Sequence, residues 1–166
     1  PFSWSIPTRV TLTVADGIHA TPHHPWASMK TPQPVLLLPH WAHDPKIAYS
    51  TINARAETLT EKPAFRDAWR HGQRCLVPVT GWYEWVDQGG KRKQPYFLRS
   101  ADGDNPMMFA GLWSRWSDAE GKQVATYTVV TTEAMGDVRR VHDRQPQVLP
   151  PDAWGAWLQA PVPEAG

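Results

Sequence analysis

Turn residues recur along this chain at intervals too short for long helices. Downstream of residue 70 the breaks fall at Gly72, Thr80-Gly81, Gly89-Gly90, Asp102-Gly103, Glu120-Gly121 and Pro150-Pro151. The segments between them are strand-length and rich in Val, Thr and aromatic residues. Arg74 to Val79, Trp82 to Val86, Tyr96 to Arg99, Met107 to Trp113 and Thr126 to Val130 are therefore expected as strands. Upstream, Arg9 to Val14 alternates polar and apolar residues and reads as a half-buried strand ended by Asp16-Gly17. His19 to Pro34 is proline-rich and aperiodic, hence a loop, and the apolar run Val35 to Leu38 fits a buried strand. The best helix is Thr60 to His71. Pro63 sits where its missing N–H costs nothing, Phe65 and Trp69 share one face, and Gly72 stops it. Asp152 to Leu158 reads as a short terminal helix, followed by a tail over residues 159–166. The expected fold is α+β: one compact β-rich domain over residues 1–166, mostly antiparallel, with a few peripheral helices.

Charge and cysteine usage narrow the chemistry. Seventeen Lys and Arg against sixteen Asp and Glu leave a net charge of +1, so any nucleic-acid affinity must come from a local patch. The one cysteine, Cys75, permits no internal disulfide, which fits a reducing compartment. It lies in the apolar strand Arg-Cys-Leu-Val-Pro-Val and reads as buried and inert. The seven histidines show no zinc-type spacing, so no metal is expected, nor any other cofactor. There is no apolar stretch long enough for a membrane span and no signal-peptide pattern at Pro1-Phe2-Ser3-Trp4. A soluble, cytoplasmic protein is expected. The ten tryptophans could be core anchors or platforms for unpaired bases.

Three segments could carry chemistry. In Ile52-Asn53-Ala54-Arg55-Ala56-Glu57-Thr58, an extended backbone puts Asn53, Arg55 and Glu57 on one face, as a site or as a solvated edge. In Gly81-Trp82-Tyr83-Glu84-Trp85 an acid sits among three aromatics. Desolvation there would raise its pKa and suit it to proton transfer, unless Glu84 simply faces solvent on an amphipathic strand. In Val141-His142-Asp143-Arg144-Gln145-Pro146, His142 beside Asp143 could act as an acid or base, or belong to a polar loop.

Taken in order, these and four further blocks resemble the SOS response-associated peptidase family, whose members shield abasic sites in DNA. The further blocks are Pro39-His40-Trp41-Ala42, Cys75-Leu76-Val77-Pro78, Phe109-Ala110-Gly111-Leu112-Trp113 and Thr131-Thr132-Glu133-Ala134. The resemblance runs from about residue 35 to about residue 158. It implies a compact β-rich α+β fold with a basic groove. It also implies a monomer whose partner is single-stranded DNA carrying an abasic site. In the family, removal of the initiator Met exposes an N-terminal Cys, whose amine and thiol close a thiazolidine ring on the abasic aldehyde. Carried over by position, Asn53 would orient the amine or sugar, and Arg55 would hold a phosphate. Glu84 would protonate the ring-opened sugar oxygen, and His142 would assist Schiff-base formation and reversal. Trp41 would stack near the lesion, and Arg144 would contact the DNA backbone.

The chain departs from the family pattern at its start. The family begins Cys-Gly-Arg, whereas Pro1 to Thr8 resembles a segment well downstream of that cysteine. The expectation is that an upstream segment bearing the nucleophile is omitted from these residues. The alternatives are a relative that cannot crosslink and binds single-stranded DNA non-covalently, and a thiol peptidase, which the lack of a Cys–His pair disfavours.

Overall fold

The computed structural model describes residues 36–87, 89, 93–101 and 106–160, with the backbone of Trp4–Ser5. The expected strand at Arg9 to Val14, the loop His19 to Pro34, the turns at Gly90 and Asp102-Gly103, and the tail beyond residue 160 lie outside the described residues.

Nine strands and two α-helices follow one another along the described chain. They are β1 (Trp4–Ser5), β2 (Asn53–Arg55), α1 (Pro63–Arg70), β3 (Arg74–Val79), β4 (Trp82–Val86), β5 (Gln94–Ser100), β6 (Met107–Ser117), β7 (Gln123–Glu133), β8 (Arg144–Pro146), β9 (Val148–Leu149) and α2 (Pro151–Gln159). Short 3-10 helices occupy Pro45–Ser50 and Gly136–Arg140. The fold is α+β, as expected. β3 and β4 have the expected bounds, while β5, β6 and β7 run longer than their apolar cores. The first helix starts at Pro63 rather than Thr60, with residues 56–61 forming turns.

The larger sheet is built around β7. Strand β6 pairs with it antiparallel from Ser117↔Gln123 to Gly111↔Val129, and β3 continues the sheet beyond β6. On the other edge β2 runs parallel, with Arg55 opposite Thr131. Past Val129 the two long strands diverge, and the chain from Arg144 to Leu149 fills the gap. β8 pairs with the end of β7 (Glu133↔Arg144) and β9 with the start of β6 (Phe109↔Val148). Gln147 joins the two, donating to the Val130 carbonyl and accepting from the Ala110 N–H. The divergence relies on close approach at Gly111. A Cβ there would lie 2.8 Å from Cys75 Sγ and 3.0 Å from the Thr128 carbonyl oxygen.

The smaller sheet, β1-β5-β4, is antiparallel throughout. Period-2 alternation along β4 sends Tyr83 to one face, where its ring meets Phe97 at 5.1 Å and Trp85 at 5.9 Å. Trp82 and Glu84 take the other face. Trp82 packs edge-on against Phe109 of the large sheet, 5.6 Å between centroids, and also against the cluster of Leu98, Ala134 and Val138. It is the apolar tie between the sheets.

The main core lies beneath α1, where Phe65 and Ala68 meet Leu37, Ala54, Leu112 and Val130. Leu37 and Leu38 are buried as anticipated, yet they form no strand. Threonine hydroxyls take the place of a ladder. Thr51 Oγ1 donates to the Leu37 carbonyl at 2.6 Å, and the Leu38 N–H donates to Thr126 Oγ1 at 2.8 Å.

Candidate functional site

The site forms where the end of β7 is flanked on both edges. β2 brings Asn53 and Arg55 to one edge, with Ala54 pointing into the core between them. The anticipated alternation holds for these two residues, which lie on one exposed face about 7 Å apart along the strand. The backbone then turns, so Glu57 reaches its position from the turn after β2. β8 brings Arg144 to the site from the other edge.

Arg144 is the best-anchored side chain of the group. Nη1 and Nη2 donate to the two carboxylate oxygens of Glu57 at 2.7 and 3.0 Å. Nη2 also donates to the Thr131 carbonyl at 2.7 Å. Arg144 is 16% exposed and Glu57 is 51% exposed. The pair shifts both groups: hydrogen bonding to Arg144 lowers the Glu57 carboxyl to about 2, and Glu57 raises the Arg144 guanidinium.

His142 lies in the turn between the second 3-10 helix and β8. Its backbone N–H donates to the Val138 carbonyl at 2.9 Å. Around Nδ1 lie the Arg144 N–H (2.9 Å), the Arg144 carbonyl (3.0 Å) and the Asp143 carboxylate (3.2 Å). Glu84 approaches from β4, close enough for its charge to be coupled to those of His142 and Asp143. Burial raises the Glu84 carboxyl above its ordinary value. The His142 charge and the Trp82 side chain pull it down, and Asp143 pushes it up. Burial prevails, so the carboxyl keeps its proton to higher pH than a surface glutamate.

Beside this pair opens a cleft of about 420 Å³ lined by Arg55, Glu133, Ala134, Arg139, Asp143 and Arg144. The guanidiniums of Arg55 and Arg139 make no side-chain hydrogen bond or ion pair among the described residues, although the Arg55 charge helps lower the Glu57 carboxyl. Arg140, one residue on, is paired with Asp137 at 3.2 Å. A cleft with two guanidiniums that have no ion-pair partner within 4 Å among the described residues, and a third held in place, can bind an anion.

The structure thus groups Arg55 with Arg144, and Glu84 with His142, around one turn. Asn53 stands one strand repeat from Arg55. Trp41 is set apart: its neighbour Ala42 accepts from Trp116 Nε1 at 2.6 Å, toward the Gln123 end of β7. It is 41% exposed and does not line the cleft. The sequence reading missed Arg139 as a cleft residue; its only signal was the basic pair Arg139-Arg140 just before His142. Cys75 is buried, and burial pushes its thiol up to about 12, in keeping with an inert strand residue. Among the described residues no group of three or more His, Cys, Asp or Glu side chains could hold a metal ion. Among them, too, no helix is long and apolar enough to cross a membrane.

Comparison with known proteins agrees with this architecture. Residues 11–165 match the family described as SOS response associated peptidase (SRAP). The abasic site processing protein YoaM of Bacillus subtilis is 42% identical over 74% of this chain and 53% of its own length. YedK of Escherichia coli, likewise named an abasic site processing protein, is 36% identical over 75% of this chain and 52% of its own. A solved structure from Bordetella bronchiseptica superposes with a TM-score of 0.68 at 33% identity, covering 78% of this chain and 66% of that one. The chain therefore spans about half the length of the curated relatives it matches. A family match over nearly all of its residues, on a fold that superposes with solved relatives, makes this chain a member of the SRAP family.

Proposed function

We propose that the cleft recognises abasic sites in single-stranded DNA and that its proton-transfer pair serves a covalent link to the exposed sugar. The observation that carries this reading is Glu84, a carboxyl made reluctant to ionise, which feels the charges of His142 and of Asp143, and Asp143 lines an arginine-rich cleft. The relatives are abasic site processing proteins, which favours an abasic site as the target. An abasic deoxyribose offers an aldehyde at C1′ and a phosphate on each side. Arg55 would hold a phosphate, and Asn53 would orient the attacking amine or the sugar hydroxyls.

The sugar ring opens as its oxygen takes a proton from Glu84 and the C1′ hydroxyl gives one up, and a neutral amine adds to the aldehyde so formed. The carbinolamine loses its hydroxyl as water, with His142 passing protons, and leaves an iminium. A thiolate adding to C1′ then closes a thiazolidine with no further group leaving. The amine and thiol would belong to an N-terminal cysteine exposed by removal of an initiator Met. Cys75 does not qualify, because it is buried and carries no free amine. Trp41 would stack on a base outside the cleft, and one copy of the chain would suffice.

The test is to incubate two proteins with uracil-excised single-stranded DNA and run a denaturing gel. One is residues 1–166, and the other carries a Met-Cys-Gly-Arg segment ahead of the family region. The second should give a heat-stable shifted band that Glu84→Gln and His142→Gln each weaken at least tenfold. A band of equal strength from both proteins would overturn the assignment of the nucleophile. Salt-sensitive binding without any adduct from either would favour a non-covalent single-stranded DNA-binding module.

A further inference from the structure

Glu57 has no part in the chemistry just described, yet its contact with Arg144 is the only bidentate side-chain pair among the described residues. Arg144 is in turn the residue whose backbone surrounds the His142 ring. We propose that Glu57 is a positioning residue: by gripping Arg144 it fixes the backbone of residue 144, and that backbone holds the His142 imidazole in one orientation beside Glu84. The inference rests on the reading of His142 as the proton-transfer residue.

The contacts form a chain. Glu57 engages both terminal nitrogens of Arg144, and the Thr131 carbonyl takes a further bond from Nη2, so the guanidinium is fixed on two sides. Arg144 begins β8, where the only ladder partner is Glu133. At a strand end the backbone frays unless a side chain secures it. The secured backbone offers the ring both kinds of partner. A bare Nδ1 accepts from the Arg144 N–H at 2.9 Å. A protonated Nδ1 donates to the Arg144 carbonyl at 3.0 Å or to the Asp143 carboxylate at 3.2 Å. Nδ1 therefore has a partner in either protonation state, and the ring need not turn when it gains or loses a proton. That leaves Nε2 to face the substrate.

The rest of the turn is anchored without Glu57. His142 N–H reaches Val138, and Ala134 N–H reaches the Asp143 carbonyl. Removing the carboxylate should thus loosen the 144 end and leave the fold standing. Glu57 is half exposed, so Glu57→Gln removes charge without opening a cavity.

The experiment is nitrogen NMR on histidine-labelled residues 1–166 at pH 8.5, with His142 assigned by comparison with His142→Gln. The wild type should show one tautomer at about 90% or more, with Nδ1 bare, because the Arg144 N–H at 2.9 Å is the shortest contact at that nitrogen. Glu57→Gln should bring the two tautomers to within about threefold of each other. Arg144→Lys should do the same, because an ammonium cannot make the bidentate pair. The double variant should add nothing further. Circular dichroism reports whether each variant is folded; should Glu57→Gln fail, Glu57→Asp keeps the charge and shortens the reach. Unchanged His142 nitrogen shifts in a folded Glu57 variant would overturn the proposal. Because this readout uses no DNA, it stands apart from the crosslinking result. If the Cys-bearing protein forms no adduct while the tautomer ratio shifts as stated, the functional reading fails and Glu57 still positions His142.

Discussion

Glu84 and Glu57 flank the same turn, and their surroundings drive them in opposite directions. Glu57 is depressed to about 2 from an ordinary 4.5, so its contribution to stability is present above pH 4.5 and lost as pH falls toward 2. Glu84 is raised, so the unfolded chain gives up that proton first as pH climbs. Stability attributable to Glu84 is then full below pH 4.5 and declines as pH passes its raised value. Melting curves should separate the two. Glu57→Gln should have a lower Tm than wild type at pH 6, with the gap closing toward pH 2. Glu84→Gln should match wild type at pH 4 and equal or exceed it at pH 8. The thiol of Cys75, at about 12, predicts a third outcome. Iodoacetamide at pH 8 should leave the native chain unlabelled and modify it within minutes once urea unfolds it.

At the scale of elements, the position of Glu84 depends on how β4 enters the sheet. A Cβ at Gly81 would lie 2.4 Å from the Phe97 ring and 2.5 Å from the Leu98 carbonyl oxygen. Gly81→Ala should therefore displace β4 and destabilise the chain by about 1–3 kcal/mol in urea titrations. β3 and β4 were legible in the sequence because Gly72 and Thr80-Gly81 bracket uninterrupted Val- and aromatic-rich runs. The run Val35 to Leu38 misled over its described residues, 36–38, since burial alone cannot distinguish a ladder from hydroxyl partners such as Thr51 and Thr126. The exposed face shared by Asn53 and Arg55 could be read from their alternation. The grip of Glu57 on Arg144 could not, because nothing local marks two residues 87 apart as partners.

For the molecule as a whole, a cation closes the core behind the site. Arg74 is 1% exposed and its guanidinium lies 4.3 Å from the Trp69 ring and 5.6 Å from the Trp157 ring. Nη1 donates to the Ala160 carbonyl at 2.9 Å, and Trp157 Nε1 donates to the Cys75 carbonyl at 3.0 Å. Together they fasten α1, β3 and α2. Among the described residues no carboxylate pairs with Arg74, so the aromatic faces and that carbonyl must offset its desolvation. Arg74→Ala should cost about 2 kcal/mol or more by chemical denaturation.

The ladder around β7 also has a temporal consequence. β6 and β7 are joined through a turn between Ser117 and Gln123, so they can meet early. Glu57 and Arg144 close a span of 87 residues, and Leu38 and Thr126 one of 88. Bringing such distant points together forfeits chain freedom before any contact repays it, and the loss grows with the logarithm of the span. The hairpin should therefore form first and the reactive turn last. In stopped-flow experiments Glu57→Gln should speed unfolding and alter the folding rate by less than about twofold. On that schedule the Glu57–Arg144 pair and the turn it secures come into place only when nearly every other contact is made, so a partly folded copy lacks the assembled cleft.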